Sequence, residues 1–327
     1  MSEKNIKKMA VFSCAGLGDG LVALHLAHNL ALNGYQVDLF HQGRFADLQK
    51  WVVSSVRIQK YPVLDLPELL KKYEKLFLSQ DLNNSGLCRL ISEGKQKAPS
   101  RLVVLNPSPS KKIGAQPFYQ DTFFDPGLSM VENLFLFTHR ILKLPQATLE
   151  SPIRRPSGLS LSQDLNRIAI HPLASKQGKC WGQEKFLLLA RNLQRKGQKV
   201  FFVMDPKEKA LWPQDFPALS FASLSDLAVF LAGSRLFVGG DSGVGHLASA
   251  LGVPTVSLFR SYRAARLWRP GWGCNKVVVP SRLVPNLSFL RLRDRFWASL
   301  VLVSKVERAV NSVEKQLNCR SLADKSL

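Results

Sequence analysis

The stretch that decides the fold is residues 9–40, MAVFSCAGLGDGLVALHLAHNLALNGYQVDLF. An apolar run at 9–12 enters a glycine-rich turn, apolar residues recur at helical spacing over 21–32, and another apolar run follows at 35–40. Gly34 stands where helices often end, because glycine readily takes the left-handed backbone conformation found there. The order strand, turn, helix, strand predicts a βαβ unit with two parallel strands.

The same alternation returns in the second half of the chain. Strands are expected at 167–171, 200–204, 236–239 and 255–259, with helices at 183–196, 225–232 and 244–251. Strands that alternate with helices of this length predict a doubly wound parallel sheet, covered by helices on both faces. Residues 151–158 have the proline and serine content of a linker, so we expect two α/β domains, 1–158 and 159–327.

The amino-acid composition excludes several classes of protein. The 327 residues include 45 Lys and Arg against 24 Asp and Glu, a net charge of +21, and 46% are hydrophobic. That apolar content excludes a disordered chain, and no apolar run reaches the roughly 18 residues of a membrane-spanning helix. Five scattered cysteines favour neither a metal site nor disulfides, and so favour a cytoplasmic protein. The charge predicts anionic partners; no known nucleic-acid-binding module accompanies it, so nucleic acid is not expected.

The glycine turn around Asp19 is the first candidate site. Glycines between a strand and a helix let a ligand approach the backbone at Gly16 and Gly18. A dinucleotide-binding turn needs glycine at position 21, which is Leu21 here, although Asp38 has the spacing of a ribose-binding acid. Asp19 is suited to accept a proton from a substrate, or alternatively to cap a helix that begins near Leu21.

The second candidate site is residues 238–254, VGGDSGVGHLASALGVP. A predicted strand ends there, and Asp241-Ser242-Gly243 opens a helix whose small residues allow close packing on the sheet. Backbone N–H groups at that helix start, together with the Ser242 hydroxyl, are suited to bind a diphosphate. His246 lies one turn further along, and a buried structural histidine is the alternative interpretation of it.

The third candidate site is the loop within residues 171–186, HPLASKQGKCWGQEKF. A predicted strand ends in a polar loop with two lysines, Lys176 and Lys179, ahead of an amphipathic helix. A lysine at the carboxyl end of a strand is a mobile positive charge for phosphate oxygens. Solvated lysines without a ligand are the alternative.

These three segments, in this order, resemble the motifs of the ADP-heptose:lipopolysaccharide heptosyltransferases, glycosyltransferase family 9. The turn with Asp19 is similar to the family's amino-terminal motif, and residues 171–186 to its motif of His, Ser or Thr, Lys and Trp. Residues 241–254 resemble its nucleotide-sugar motif, and this match is long and specific. Residues 50–160 match the family in length and class only.

The resemblance implies a GT-B architecture, with two Rossmann-like domains facing a central cleft and a C-terminal helix that returns toward the first domain. It implies inverting transfer of a heptose-type sugar from an ADP-sugar to a lipopolysaccharide core or lipid A acceptor, without metal or cofactor. The first domain would bind the acceptor and the second the nucleotide sugar. The residues carried over are Asp19 as general base, Ser175 and Lys179 as sugar-donor contacts, and Asp241, Ser242, Gly243 and His246 as the donor-binding turn.

The segment after the last predicted strand departs from the family pattern. Where members usually carry a Gly-Pro-Thr loop, this chain has Arg260-Ser261-Tyr262-Arg263. Arg260, Arg263 and Arg266 are therefore candidate contacts for a phosphorylated, acidic acceptor or its phosphates.

Two other functions remain open from the sequence. A catalytically degenerate GT-B protein that binds glycans or a membrane surface is favoured by the altered arginine loop. An NAD-dependent oxidoreductase would use the glycine turn. Residues 289–310 interleave arginines with apolar residues, which suits either a C-terminal helix packed on the protein or peripheral contact with the cytoplasmic face of the inner membrane.

Overall fold

A computed structural model describes residues 7–81, 83–105, 125–157, 164–174, 176–209, 212–213, 216, 218–284 and 292–323. The chain divides into two compact units, Met1–Pro156 and Ser157–Leu327. Each unit is built around a parallel sheet of its own.

The first unit contains a five-stranded sheet. Its strands are β1 Lys8–Phe12, β2 Gln36–Phe40, β3 Arg57–Gln59, β4 Lys75–Ser79 and β5 Leu102–Leu105. They lie in the order β3-β2-β1-β4-β5. Its helices are α1 Leu17–Leu32, α2 Leu66–Lys72, α3 Ser85–Lys97 and α4 Met130–Leu136. The central strand β1 is apolar without alternation because helices cover both faces of a parallel sheet.

The βαβ unit predicted at the amino terminus is present, with Ala10 of β1 opposite Asp38 of β2 in a parallel pair. The helix between them begins earlier than predicted. Gly16 is its N-terminal cap, so Asp19 is the third helical residue and the prediction that it caps a helix starting near Leu21 is wrong. The glycines of this turn are tolerated in a helix because the first turn has few intrahelical hydrogen bonds to lose.

The second unit contains a six-stranded sheet. Its strands are β6 Asp164–His171, β7 Lys199–Val203, β8 Ala218–Leu219, β9 Ser234–Gly240, β10 Thr255–Leu258 and β11 Asn275–Val278. They lie in the order β11-β10-β9-β6-β7-β8. Its helices are α5 Gln183–Arg195, α6 Pro206–Lys209, α7 Leu224–Ala232, α8 Gly243–Ala250, α9 Tyr262–Trp268, α10 Leu292–Arg295, α11 Trp297–Leu300 and α12 Val303–Ala323.

Both sheets reverse their strand order beside the first strand. In the first unit the reversal falls between β1 and β4, and in the second between β6 and β9. Open parallel sheets bind ligands outside the carboxyl ends of the strands at this point, where successive connections leave in opposite directions. Asp19 follows β1, Lys179 follows β6 and Asp241 follows β9, so all three candidate segments lie at such reversals.

The C-terminal helix α12 packs against α5, β10 and β11 of the second unit. Val306, Val310 and Val313 face this core, and Asn192 of α5 donates a hydrogen bond to Glu307. In the described part of the segment predicted for membrane contact, residues 292–310, much of the apolar surface is buried in this core, namely that of Trp297, Val301, Val306, Ala309 and Val310. No helix within the described part of the chain is both long enough and apolar enough to cross a membrane.

Candidate functional site

The turn between β9 and α8 leaves hydrogen-bonding groups available. Ser242 is the N-terminal cap of α8, with an extended backbone (φ −142°, ψ 156°), but its hydroxyl caps no backbone N–H. The buried Ser242 Oγ has no hydrogen-bond partner among the residues that the structure describes. The first turn of α8 carries no acidic side chain. A free hydroxyl beside unpaired N–H groups and the positive end of a helix is an arrangement that binds anions.

A cation lies beside this turn. Lys179, in a 3₁₀ turn that follows β6, places its Nζ 2.6 Å from Oδ2 of Asp241. The Lys179 side chain is 35% exposed and that of Asp241 is 14% exposed, so the ammonium remains accessible while the carboxylate is largely covered. The structure thus brings together Lys179, Asp241, Ser242 and Gly243, as the sequence predicts. Ser175, the other predicted sugar-donor contact, lies outside the described residues.

His246 lies on α8, one turn beyond Ser242, and is buried. Its ring makes a hydrogen bond to the Trp268 backbone, whereas Nδ1 has no partner among the described residues. Burial lowers the pKa of His246 to about 4, although the negative charge of Asp241 opposes the shift. His246 is therefore neutral at pH 7 and offers a hydrogen-bonding nitrogen rather than a positive charge. Its burial fits the structural alternative raised from the sequence.

Close packing positions α8 on the sheet. A Cβ at Gly239 would come within 2.7 Å of the Phe237 ring and 3.0 Å of the His171 carbonyl oxygen, and one at Gly245 within 3.3 Å of the same ring. The Nδ1 of His171 donates to the Val203 carbonyl at 2.7 Å, which ties the end of β6 to β7. Glycine at 239 and 245 is thus what lets α8 begin directly at the end of β9.

In the first unit, Asp19 lies half-buried in the first turn of α1. Its Oδ2 folds back over Gly16, where any Cβ would collide with it. The carboxylates of Asp19 and Asp81, after the larger effect of burial, raise the pKa of the nearby Cys14 thiol. Cys14 therefore stays protonated at neutral pH. Gly18 is the second residue of α1 and contributes backbone to the turn.

His41 is a residue of this turn that sequence reasoning missed. It follows β2 and its Nε2 donates to the Gly16 carbonyl at 3.2 Å. A Cβ at Gly20 would meet the rings of His41 and Phe45 at 2.7 Å, so the histidine packs directly under the turn. Burial lowers the pKa of His41. Its position directly after a strand, at the carboxyl end of the sheet, is the sequence feature that could have identified His41.

Asp38 does not have the role that a dinucleotide site would give it. It lies in the middle of β2, 1% exposed, rather than at the end of the strand. Its carboxylate accepts hydrogen bonds from Arg57 at 2.8 Å, Gln59 at 3.0 Å and the Tyr73 hydroxyl at 2.6 Å. Asp38 is therefore a structural residue, because its buried carboxylate is already hydrogen-bonded to these three side chains. It is not available to bind the ribose of NAD.

The candidate arginines lie after β10. Arg260, Arg263 and Arg266 are exposed, and Ser261 between them caps α9 by accepting from the Ala264 N–H. Two further guanidinium groups stack on the ring of Tyr262, namely Arg282 at 4.3 Å and Arg293 at 5.6 Å from its centroid. We term Arg260, Arg263, Arg266, Arg282 and Arg293 the arginine surface. Its first member follows β10, the strand next to β9, so the arginine surface begins beside the turn between β9 and α8.

Within the described part of the chain, no group of three or more His, Cys, Asp or Glu side chains is arranged to hold a metal ion. The positive charge that the described residues offer to an anionic ligand comes from lysine, arginine and helix termini.

Comparisons with known proteins agree with this architecture. Residues 113–287 match the model of glycosyltransferase family 9 (heptosyltransferase). Lipopolysaccharide heptosyltransferase 3 of Escherichia coli K12 is 29% identical over 133 residues, which cover 35% of this chain and 38% of that protein. The curated relatives are thus matched over about a third to a half of their length.

Solved structures show the same fold over nearly the whole chain. The E. coli ADP-heptose lipopolysaccharide heptosyltransferase II superposes with a TM-score of 0.66 at 15% identity, covering 95% of this chain and 99% of that one. E. coli heptosyltransferase WaaC with ADP gives a TM-score of 0.60 at 15% identity, covering 94% and 99%. The fold class is therefore GT-B, with two Rossmann-like parallel-sheet units. The chain belongs to glycosyltransferase family 9, the heptosyltransferase family.

Proposed function

We propose that this protein transfers a heptose-type sugar from an ADP-sugar to a lipopolysaccharide core or lipid A acceptor, with inversion at the anomeric carbon. The observation that carries the proposal is the buried Ser242 hydroxyl at the start of α8, which has no hydrogen-bond partner among the described residues, together with the Lys179 ammonium held by the preceding residue, Asp241. Family membership and likeness to heptosyltransferases support the reaction class.

The second unit would bind the diphosphate of the nucleotide sugar. Charge-assisted hydrogen bonds from Lys179, together with the N–H groups of Gly243 and its neighbours, would stabilise the negative charge that develops on the leaving diphosphate. Asp241 contributes indirectly, because its 2.6 Å ion pair holds the Lys179 ammonium at the helix start. Neutral His246 would add a hydrogen bond without a charge.

Asp19 of the first unit would act as the general base. In the proposed reaction, the acceptor hydroxyl oxygen bonds to the anomeric carbon as the bond to the diphosphate oxygen breaks. The hydroxyl proton passes to the Asp19 carboxylate, and ADP leaves with the electron pair of the broken bond. His41 and Gly16 support this role, since their hydrogen bond fixes the turn that presents the carboxylate.

The arginine surface would attract the anionic acceptor and the membrane that contains it. Leu283, 93% exposed, neighbours Arg282, and Phe296, 50% exposed, follows Arg295. Exposed apolar side chains among arginines suit peripheral contact with an anionic leaflet. These features support our proposal that the reaction takes place at the cytoplasmic face of the inner membrane.

Transfer of sugar from ADP-heptose to lipopolysaccharide extracted from a heptose-deficient strain would test the proposal. We expect ADP release that depends on acceptor, unchanged by EDTA, and a product whose anomeric configuration by NMR is opposite to that of the sugar donor. Retention of configuration would contradict the inverting mechanism, and loss of activity in EDTA would contradict the metal-independent one.

The altered loop at Arg260 makes a non-catalytic, glycan-binding protein the second candidate. That protein would bind lipopolysaccharide without releasing ADP from any ADP-sugar. Measuring acceptor binding and ADP release on the same preparation separates the two functions.

A further inference from the structure

The loop that carries Lys179 is held by a segment from the far end of the second unit. The Trp297 indole N–H donates to the Gly178 carbonyl at 2.9 Å, one residue before the lysine. On the other side, the Trp181 indole N–H donates to the Val301 carbonyl at 2.8 Å. Two tryptophans therefore tie the loop, before and after Lys179, to one short segment.

We term that segment, residues 297–301, the brace. It is held in turn by hydrogen bonds from a lysine side chain. The Lys185 ammonium donates to the backbone carbonyls of Ala298, Ser299 at 3.3 Å and Val301 at 3.0 Å. These carbonyls end α11, where a cation is favoured by the helix dipole. Lys185 also lies 5.7 Å from the centre of the Trp181 ring.

Burial differs between the brace and the loop that it holds. Trp297 is 3% exposed and Val301 is fully buried, whereas Gly178 is exposed. Gly182 closes the loop with φ +111°, a conformation that glycine adopts readily. An exposed loop with two glycines has many accessible conformations, and ordering it on ligand binding costs entropy. A tether to a rigid core lowers that cost before the ligand arrives.

We infer that Trp297 is a positioning residue for the sugar-donor site. Its hydrogen bond to Gly178 fixes the peptide that precedes Lys179 and so presents the Lys179 ammonium to Asp241 and the start of α8. The inference rests on the proposed role of Lys179 in binding the diphosphate. It assigns the C-terminal part of the chain a function in substrate affinity, in addition to its contribution to the core.

Trp297→Phe tests the inference because it keeps most of the ring and removes the N–H donor. We expect the Kd for ADP, measured by calorimetry, to rise about five- to tenfold, the effect of one hydrogen bond. The kcat/KM for the ADP-sugar should fall by at least the same factor, because Lys179 is also proposed to stabilise the charge on the leaving diphosphate. Trp212→Phe is the matched control, because Trp212 lies in the same core and its indole N–H has no partner among the described residues.

The Lys179→Ala background separates positioning from general destabilisation. If Trp297 acts through Lys179, Trp297→Phe should not change the Kd for ADP further once the lysine is removed. If Trp297→Phe raises the Kd for ADP equally in the Lys179→Ala background, the inference is overturned. It is also overturned if Trp297→Phe lowers the melting temperature but has the same Kd for ADP as the control Trp212→Phe.

The same measurements separate this inference from the proposed function. ADP binding that responds to Lys179→Ala but not to Trp297→Phe overturns the inference alone. A wild-type protein that binds no ADP overturns both.

Discussion

Lys179 and Asp241 form an ion pair, 2.6 Å between Nζ and Oδ2, that joins the loop after β6 to the loop after β9. These strands are neighbours in the sheet, and the strand order reverses between them. The pair keeps a cation at this reversal before any ligand binds, beside a helix whose first turn has no acidic residue. In the proposed reaction, the diphosphate of the sugar donor would therefore meet an ammonium group that is already in place.

Removing that charge should weaken nucleotide binding. We expect Lys179→Ala to raise the Kd for ADP about 10- to 100-fold, because hydrogen bonds from charged groups contribute about 1.5–3 kcal/mol. Calorimetric titration with ADP measures the change. Lys176→Ala removes an exposed lysine of the same loop and should leave the Kd within about twofold. Equal Kd values for the two variants would exclude Lys179 from the site.

Removing the proposed general base, Asp19, should slow turnover without weakening sugar-donor binding. We expect Asp19→Asn to lower kcat about 10²- to 10⁴-fold, the usual contribution of general-base catalysis, with the Kd for ADP nearly unchanged. The control is Asp226→Asn, which removes an acid from the equivalent first-turn position of α7. Near-normal turnover of Asp19→Asn would reject the assignment.

Two buried histidines should make the protein sensitive to acid. Burial lowers the pKa of His25 to about 3 and that of His246 to about 4, from 6.5. As pH falls below 6.5, the unfolded chain takes up protons that the folded chain does not, so the free energy of unfolding decreases. For the two together the loss is about 3 kcal/mol between pH 6.5 and 5.

Urea denaturation at these two pH values measures the loss. Burial also lowers the pKa of His28, His41 and His171, which add to the measured loss. His25→Gln should reduce that loss by about 1.5 kcal/mol, whereas the exposed His139→Gln should not change it. A pH dependence that is the same in all three proteins would contradict this account.

The Asp38 network should contribute to stability rather than to ligand binding. Tyr73→Phe removes one hydrogen bond to a buried carboxylate, and we expect unfolding to cost about 1–3 kcal/mol less in urea. Tyr35→Phe is the control, because it removes the hydroxyl of a half-buried tyrosine in the same unit, one residue before β2. A change in ADP affinity with Tyr73→Phe would instead connect the network to the site.

Membrane contact should depend on exposed apolar groups beside the arginine surface. We expect Leu283→Ser to weaken binding to vesicles of anionic phospholipid about tenfold, and added salt to weaken it further. Leu188→Ser alters another exposed leucine of the same unit, on α5, and should bind like wild type. Equal binding to neutral and anionic vesicles would contradict the role of the arginines.

Local patterns in the sequence predict most of the fold and part of the site. Apolar runs, helical spacing and the stop at Gly34 are each contained within a few residues, and the βαβ unit that they predict is confirmed. The start of α1 was placed too late, because glycines disfavour helix in general but are tolerated in its first turn. The same local patterns pointed to Lys179, Asp241 and Ser242. These residues lie close together because β6 and β9, the strands that precede them, are neighbours where the strand order reverses.

The supports of the site were not predictable in this way. Trp181 bonds to a carbonyl 120 residues further along the chain, and no periodicity relates such distant positions. Residues 289–310 have the composition of a surface helix, yet Trp297 and Val301 are core residues. Burial in a shared core, which sequence composition does not encode, decided their placement.

The ring of Phe237 occupies the space that side chains at Gly239 and Gly245 would need. The side-chain sizes at these three positions therefore depend on one another, since the ring sets how closely α8 packs on the sheet. Among relatives, we therefore expect a residue smaller than Phe at position 237 wherever alanine or serine stands at 239 or 245. The total side-chain volume between α8 and β9, and so their separation, would then stay the same.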